Sequence, residues 1–142
     1  MDPAVERLIR RTSLLTAALA VVLSPIPLAD ELLLLPIYGV LTSRIAQKHA
    51  LPIAQLPWKP ICATAFAGLA ARAAVNITVS YIPGVAAAAN AASAVALTQF
   101  FGRYVDETCA KPAGARPLSV AEILNTLRPK KTETASVPAQ AS

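Results

Sequence analysis

The chain has 142 residues, of which 55% are hydrophobic and 15% are charged, and its net charge is +5. Soluble domains carry about 25% charged residues, so a soluble bundle of this composition lacks the charge that its outer faces need, and we expect membrane residence. The basic residues are scattered and lack interleaved aromatic residues, which argues against a nucleic-acid partner and favours an anionic lipid surface.

The first helix is followed by a turn that recurs later in the chain. Asp2 as N-cap and Pro3 at the first helical position predict a helix over about residues 4–23. A Ser-Pro-Ile-Pro turn follows at 24–27, and Ser-Tyr-Ile-Pro recurs at 80–83. Each turn lies midway through a long apolar stretch, where proline should bend the chain. The repeat predicts an all-α fold of two tandem hydrophobic helical hairpins, a four-helix arrangement.

The second helix of the first hairpin is expected over about residues 28–48. Asp30 and Glu31 lie in its first turn, where carboxylates complement the helix dipole. Pro36 should kink this helix. The prolines of the segment 49–59 then predict a connector to the second hairpin.

The second hairpin is expected to begin at Pro60 and to contain two helices, ending near residues 80 and 107. Residues 73–102 carry no formal charge, and alanine is abundant after the turn. Because small residues let helix backbones approach closely in a membrane, this composition favours tight helix pairing.

The segment after the hairpins changes in character. We assign residues 1–109 to a double-hairpin, membrane-associated domain and residues 110–142 to a linker, a short amphipathic helix and a flexible tail. Ser119 and Glu122 fit a capping box that opens this helix, which ends near residue 127. A candidate partner-docking face on the helix consists of Val120, Ile123, Leu124 and Leu127. Docking on a cytosolic partner and packing back on the domain are equally compatible with the pattern.

The distribution of basic residues predicts a topology. The helix ends near the termini and the connector carry Arg7, Arg10, Arg11, Arg44, Lys48, Lys59, Arg103 and Lys111. The two turns carry no Lys or Arg. By the positive-inside tendency, both termini and the connector are cytoplasmic and the turns point away from the cytoplasm. The helices are long enough either to cross the bilayer or to wedge into one leaflet.

Polar residues within the apolar helices are candidate packing or conduction positions. Asn76 and Asn90 lie at similar distances from the second turn, so a hairpin brings them to similar depth, where each amide can supply the other with a partner. The alternative is that both face water at a bundle surface. Arg72 is the charged residue deep in the third helix, and it is expected to pair with Asp30 or Glu31 or to snorkel toward a headgroup.

No catalytic arrangement is recognisable. The sequence has no Gly-rich phosphate loop, nucleophile elbow or HExxH motif, so we expect no enzyme activity, cofactor or metal. His49 is interpreted as a surface histidine, and Asp106 and Glu107 as solvated carboxylates. Cys62 and Cys109 have no metal-ligand spacing and are expected to be reduced thiols.

Five ordered segments resemble a known family. They are Leu-Ser-Pro-Ile-Pro-Leu-Ala-Asp (23–30), Tyr-Gly (38–39), Ala-Arg (71–72), Tyr-Ile-Pro-Gly-Val (81–85) and Thr-Gln-Phe-Phe-Gly-Arg-Tyr (98–104). Over about residues 10–107 the chain resembles the YcjF-like bacterial family of domains of unknown function (DUF six-nine-seven), which often follow Era-like GTPase domains. The resemblance implies a membrane-associated helical domain and service to a GTPase, without catalytic residues to carry over, and we expect residence at the bacterial inner membrane. This chain has no GTPase domain of its own, so a GTPase would have to be a partner.

The leading functional expectation is a non-enzymatic membrane adaptor or structural subunit, in a homo-oligomer or a larger complex. Two alternatives stay open. Duplicated hairpins with polar residues at depth also fit an oligomeric small channel or transporter. Alanine-rich faces also fit a soluble helical assembly subunit that buries them against copies of itself.

Overall fold

A computed structural model of the chain describes residues 2–22, 29–79 and 86–127. In these ranges every regular element is a helix, which confirms the all-α class and the four long helices followed by a short one. The elements are α1 (Pro3–Val22), α2 (Ala29–Lys48), α3 (Trp58–Val79), α4 (Ala86–Ala110) and α5 (Val120–Leu127), with 3₁₀ turns at Ile53–Gln55 and Pro112–Gly114. The repeated turns at 24–27 and 80–83 lie outside the described residues.

The first two helices begin and continue as local chemistry dictates. The Asp2 carboxylate accepts a hydrogen bond from the backbone N–H of Ala4 at 2.7 Å, so Asp2 caps α1 and Pro3 occupies the first helical position. Pro36 lies inside α2, and the helix continues on both sides of it.

The connector is more ordered than its proline content indicates. The N–H of Leu51 bonds to the carbonyl of Ala46 at 3.0 Å, which closes α2 with Ala50 in the left-handed region at φ 52°. The Trp58 indole N–H donates to the carbonyl of Ile53 at 3.0 Å. Since α3 begins at Trp58, Pro60 lies in its first turn, where a missing N–H leaves no helical hydrogen bond unmade.

The α4 helix is the centre of the bundle, because α1, α2 and α3 all pack against it. The most extensive interface is between α1 and α4, which belong to different hairpins, whereas α2 and α3 touch each other little. The two hairpins are therefore interlocked and do not form independent units. We refer to the end of the bundle where α1 and α3 begin as the basal end, and to the end where they stop as the distal end.

Two glycines allow α4 its close contacts. A Cβ on Gly102 of α4 would lie 2.7 Å from Cγ1 of Ile9, and a Cβ on Gly68 of α3 would lie 2.7 Å from Cδ1 of Leu97. Both distances are shorter than van der Waals contact, so a larger residue at either position requires the side chain of Ile9 or Leu97, or the helices themselves, to shift.

The core combines large apolar side chains with small hydroxyl residues. The rings of Tyr38 and Phe101 stack with their centroids 4.6 Å apart. Thr16 of α1 and Thr98 of α4 are both buried, and their hydroxyl oxygens are 3.0 Å apart in a hydrogen bond between the helices. The largest apolar side chains that are fully buried are Val5, Leu41, Ile45, Leu97, Phe101, Val105 and Ile123.

Candidate functional site

A cluster of polar side chains lies between α1, α3 and α4 toward the distal end. Arg72 of α3 is fully buried, and its Nη2 donates to Oδ1 of Asn90 at 2.5 Å. The Asn76 amide donates to the same oxygen at 3.1 Å, and the Asn90 amide donates to the carbonyl of Ala20 at 3.0 Å. Nε of Arg72 also lies 3.4 Å from the hydroxyl oxygen of Ser93. Asn90 is thus the hub that joins three helices.

The sequence-predicted polar residues are only partly brought together. The expected contact between Asn76 and Asn90 is present, and both side chains are half-buried. The side chains of Asp30 and Glu31 lie outside the described part of the chain, so the expected pairing of Arg72 with them does too. Sequence reasoning missed Ser93 and the carbonyl of Ala20, because neither residue type stands out in an alanine-rich helix.

The described contacts of this cluster are those of a structural network. Its groups are a guanidinium, two amides, a hydroxyl and a backbone carbonyl, which donate and accept hydrogen bonds at fixed positions. A buried polar group is tolerated in apolar surroundings when it is hydrogen-bonded. The chemistry of these contacts therefore fixes the relative position of α1, α3 and α4.

The outer surface of the bundle carries exposed charges at the basal end but not along the rest of the four long helices, within the described residues. The stretches 12–22, 33–43, 60–79 and 86–102 contain one charged residue, Arg72, and it is buried. We refer to these four stretches together as the uncharged zone. Its exposed large apolar residues are Leu14, Leu15, Val21, Val22, Leu33, Val40, Phe66 and Ile77.

One exposed cation from each long helix borders this zone on the basal side. These residues are Arg11, Arg44, Lys59 and Arg103. The contact of Ile9 with Gly102 and the stacking of Tyr38 on Phe101 set the levels of α1 and α2 relative to α4. Each cation marks the basal border of the uncharged zone on its own helix, and Arg44 lies about 6 Å beyond the level of Arg103.

The length of the uncharged zone along α3 and α4 is close to the thickness of the hydrocarbon core of a bilayer. At about 1.5 Å per residue it extends about 16 Å along α1 and α2, about 25 Å along α4 and about 30 Å along α3. The hydrocarbon core of a bilayer is about 30 Å thick. Among the described residues, α3 is the helix that is long and apolar enough to cross a membrane, from Trp58 to Thr78, and 39% of its most apolar window is buried.

The linker before α5 is tied to the bundle. The backbone N–H of Leu118 donates to the Thr64 hydroxyl at 3.0 Å. The Tyr104 hydroxyl donates to the carbonyl of Arg116 at 2.7 Å. Together these bonds fix the start of α5 against α3 and α4.

The predicted capping box of α5 is present. The N–H of Ser119 donates to the Glu122 carboxylate at 2.8 Å, and the N–H of Glu122 lies 3.3 Å from the Ser119 hydroxyl oxygen. Arg116 contacts the same carboxylate at 2.9 Å. The backbone hydrogen bond from Ser119, followed by the hydrogen bond from Arg116, lowers the pKa of Glu122 to about 2.

The candidate docking face of α5 is largely occupied by the chain itself. Ile123 is fully buried in the core and Leu124 packs against it, whereas Val120 stays 36% exposed. The side chain of Leu127 lies outside the described residues. Of the two alternatives that the sequence left open, the structure has α5 packed back on the domain, because its apolar face continues the core between α3 and α4.

A basal contact that sequence reasoning missed joins the connector to α4. Nε2 of His49 and Oδ1 of Asp106 are 2.7 Å apart, and the Asp106 side chain is 12% exposed. The interpretation of Asp106 as a solvated carboxylate is therefore corrected, and His49 is half-buried rather than fully at the surface. The neighbouring Glu107 is exposed, as expected.

The two thiols are in different environments. Cys62 is exposed on α3 and Cys109 is buried near the end of α4, and both are free. Burial, and then the charge of Asp106, raises the pKa of Cys109 to about 11, so its reactive thiolate is disfavoured.

Comparison with known proteins found no family model, no curated protein and no solved structure that matches the chain. The resemblance to the YcjF-like family therefore stays a prediction.

Proposed function

We propose that the protein is a non-enzymatic, membrane-associated helical subunit that acts as an adaptor or structural component. The observation that carries this proposal is the division of its outer surface into an uncharged apolar zone and a basal end rich in exposed cations. In the proposed arrangement the uncharged zone enters the bacterial inner membrane through its cytoplasmic leaflet, and the basal end stays at the headgroups with both termini in the cytoplasm.

The exposed apolar side chains supply the driving force for insertion. Leu14, Leu15, Val22 and Phe66 are each more than half exposed in the isolated bundle. Fully burying one such side chain contributes about 1.5–3 kcal/mol, so the eight exposed residues of the zone contribute on the order of 10 kcal/mol when lipid covers them. This favours a stable insertion over a transient contact.

The cations at the boundary complement anionic lipid headgroups. Arg11, Arg44, Lys59 and Arg103 are all exposed at the basal border of the uncharged zone. A basic residue near an anionic membrane surface contributes about 1 kcal/mol, which is screened by salt. The four residues therefore set the depth and the orientation of the bundle.

The polar cluster is compatible with this immersion. Arg72 lies within the zone, where an unsatisfied cation in lipid is costly. Its hydrogen bonds to Asn90 and Ser93 place the guanidinium inside the bundle and away from the outer surface. We interpret Arg72, Asn76 and Asn90 as packing residues rather than conduction positions, which ranks the channel or transporter below the adaptor.

The proposed binding partner of the protein is a GTPase or a larger membrane assembly. Because Ile123 is buried, recruitment through the face of Val120, Ile123, Leu124 and Leu127 requires α5 to leave α3, or a partner to use the exposed edge at Val120. If recruitment uses that edge, Val120→Ser should weaken capture of a GTPase partner with the fold retained.

Carbonate extraction of membranes tests the membrane proposal. The wild-type chain and Gln47→Glu, an exposed change at the basal end, should stay in the pellet. The double variant Leu14→Glu/Phe66→Glu should leave with the wash, because it places charge inside the uncharged zone. Circular dichroism of each purified variant checks that the helices are retained. Release of the wild-type chain by carbonate would overturn the proposal.

The second candidate is a soluble assembly subunit, favoured by the same exposed apolar residues. In that case copies of the chain cover Leu14, Leu15 and Phe66 in place of lipid. Sedimentation of the wash fraction separates the two candidates, because a soluble subunit appears there as an oligomer and a membrane subunit is absent from it.

A further inference from the structure

The α5 helix lies on the outside of the bundle. In the described part of the chain it packs on α3 and α4 and on neither α1 nor α2. Ile123 is the residue of α5 that is fully buried there, whereas Ala121, Asn125 and Thr126 are exposed. The preceding linker, residues 111–119, contains two prolines and one glycine and is mostly exposed. The helix is therefore a separate segment that a linker attaches to α4.

The polar contacts that tie this segment to the bundle come from the linker. The N–H of Leu118 donates to the Thr64 hydroxyl at 3.0 Å, and the carbonyl of Arg116 accepts a hydrogen bond from Tyr104 at 2.7 Å. The described side-chain hydrogen bonds of residues 120–127 stay within the helix and the linker. Apolar contact therefore holds the helix itself, so the helix can detach while the linker stays bound.

The surface beneath α5 is an apolar groove between α3 and α4, which we call the α3–α4 groove. Ile123 is 0% exposed in this groove and belongs to the main core, and Leu124 packs against the same core. Val120, Ile123 and Leu124 have the i, i+3, i+4 spacing by which amphipathic helices dock in apolar grooves. The groove thus already binds one short amphipathic helix, that of the chain itself.

Charged side chains border the groove at the start of α5. Arg116 and Glu122, whose side chains are 69% and 42% exposed, form an ion pair at 2.9 Å. Exposed charges in this position need water or headgroups around them. A helix of a cytosolic protein can therefore reach the groove when the bundle is bound to a membrane.

Detachment of α5 leaves the contacts between the long helices in place. The stacking of Tyr38 on Phe101 and the hydrogen bond between Thr16 and Thr98 involve α1, α2 and α4 only. Segments with few buried apolar contacts open at a lower free energy than the whole domain unfolds. Because a competing helix binds only the molecules that are open, the closed segment lowers the apparent affinity of that helix.

We propose that α5 is an autoinhibitory strap: it masks the α3–α4 groove, which binds a short amphipathic helix of a partner when α5 detaches. The partner helix carries a branched apolar residue at the position of Ile123, an apolar residue next to it and polar residues on its outer side. The inference rests on the proposed adaptor function, and it assigns the recruitment of the partner to the groove under α5.

The probe is a synthetic peptide of residues 115–128 with a fluorescein label, because this sequence fits the groove in the closed protein. The full chain in detergent micelles is titrated into the peptide, and binding is measured by fluorescence anisotropy. Ile123→Ser in the full chain removes the buried anchor of its own strap and leaves the groove intact. Asn125→Ser introduces the same residue at an exposed position of α5 and is the matched control.

Ile123→Ser should bind the peptide about tenfold more tightly, or better, than the wild type and Asn125→Ser do, because loss of a buried isoleucine weakens the closed state by at least that factor. A peptide that itself carries Ile123→Ser should bind no protein above the level of empty micelles. In Ser119→Ala/Glu122→Gln the strap keeps Ile123 and loses its capping box, so this variant should bind more tightly than the wild type and less tightly than Ile123→Ser.

The strap is overturned if folded Ile123→Ser binds the peptide no better than the wild type, or if the serine-containing peptide binds equally well. Circular dichroism shows whether each variant retains the long helices. If Ile123→Ser loses them, Ser119→Ala/Glu122→Gln decides, and equal binding by that variant and the wild type overturns the proposal.

Carbonate extraction of the same variants separates this inference from the proposed function. All of the substitutions lie outside the uncharged zone, so every variant should stay in the pellet with the wild type. Release of the wild type and all variants contradicts membrane association. Variants that stay in the pellet and do not differ from the wild type in peptide binding contradict the strap alone.

Discussion

At the basal end of the bundle the cations are exposed, whereas in the uncharged zone the one charged residue, Arg72, is buried and the apolar side chains are exposed. A soluble bundle would keep charge on the outside along its whole length. The basal end follows that rule with its exposed cations, and its one buried carboxylate among the described residues, Asp106, is paired with His49 at 2.7 Å. The contrast teaches that the two parts are built for different surroundings, water or headgroups on one side and an apolar medium on the other.

Asn90→Leu should have the largest effect on this contrast. The change removes the acceptor that Arg72 and Asn76 share and the donor to Ala20, so buried polar groups lose hydrogen bonds. We expect the free energy of unfolding to fall by about 3 kcal/mol or more, measured by urea unfolding. Asn125→Leu, at an exposed position of α5, is the control and should change it by less than about 0.5 kcal/mol. Equal effects would mean that the cluster does not hold the helices together.

Gly102→Ala should have the next largest effect on the free energy of unfolding. Its new Cβ would lie 2.7 Å from Cγ1 of the β-branched Ile9, so the Ile9 side chain or the packing of α1 on α4 must shift. Overpacking of this kind costs about 1–3 kcal/mol. Gly39→Ala is the matched control, because it meets open space and should stabilise the protein by up to about 1 kcal/mol through helix propensity. A shift of thermal unfolding in the same direction for both variants would contradict the close contact of the two hairpins.

Asp106→Asn should have a smaller effect at the basal end. It removes the carboxylate that contacts His49, and because both side chains are partly solvated we expect a loss of about 1 kcal/mol in the free energy of unfolding. Glu107→Gln changes the adjacent, exposed carboxylate and should be neutral in the same urea titration. A neutral Asp106→Asn would show that the connector needs no tie to α4.

Loss of the capping box of α5 should have the smallest effect on stability. This effect should depend on pH. The pKa of Glu122 is lowered from 4.5 to about 2, so the carboxylate favours the folded state above pH 4.5, and this contribution is lost as the pH falls toward 2. The protection factors of the α5 amides, which are corrected for the pH dependence of intrinsic exchange, should therefore fall over that range in the wild type. In Glu122→Gln the amides should exchange faster already at pH 7, with less change on acidification. A wild-type profile that does not vary over this range would contradict the role of the capping box.

The sequence predicted the features that depend on local chemistry. The cap at Asp2, the capping box of Ser119 and Glu122, and helix ends within about three residues all follow from rules on neighbouring residues. The contact of Asn76 with Asn90 was predictable because both lie at similar distances from one turn. These inferences need no knowledge of how the hairpins pack.

The features that were not predictable depend on contacts distant in the sequence. The pairing of His49 with Asp106 joins the connector to α4, and the close α1–α4 interface has Gly102 facing Ile9. The burial of Ile123 decided between two alternatives that its amphipathic pattern left equal.

The central claim, that the uncharged zone lies in lipid, is tested most directly by the accessibility of site-specific labels. In a Cys62→Ser background the sites are Leu15→Cys in the zone and Gln47→Cys at the basal end, each carrying a nitroxide on vesicle-bound protein. The buried Cys109, with its raised pKa, should stay unlabelled. We predict that the label at residue 15 collides with oxygen and not with a water-soluble nickel complex, and that the label at residue 47 does the reverse. Equal access of the nickel complex to both labels would contradict the account.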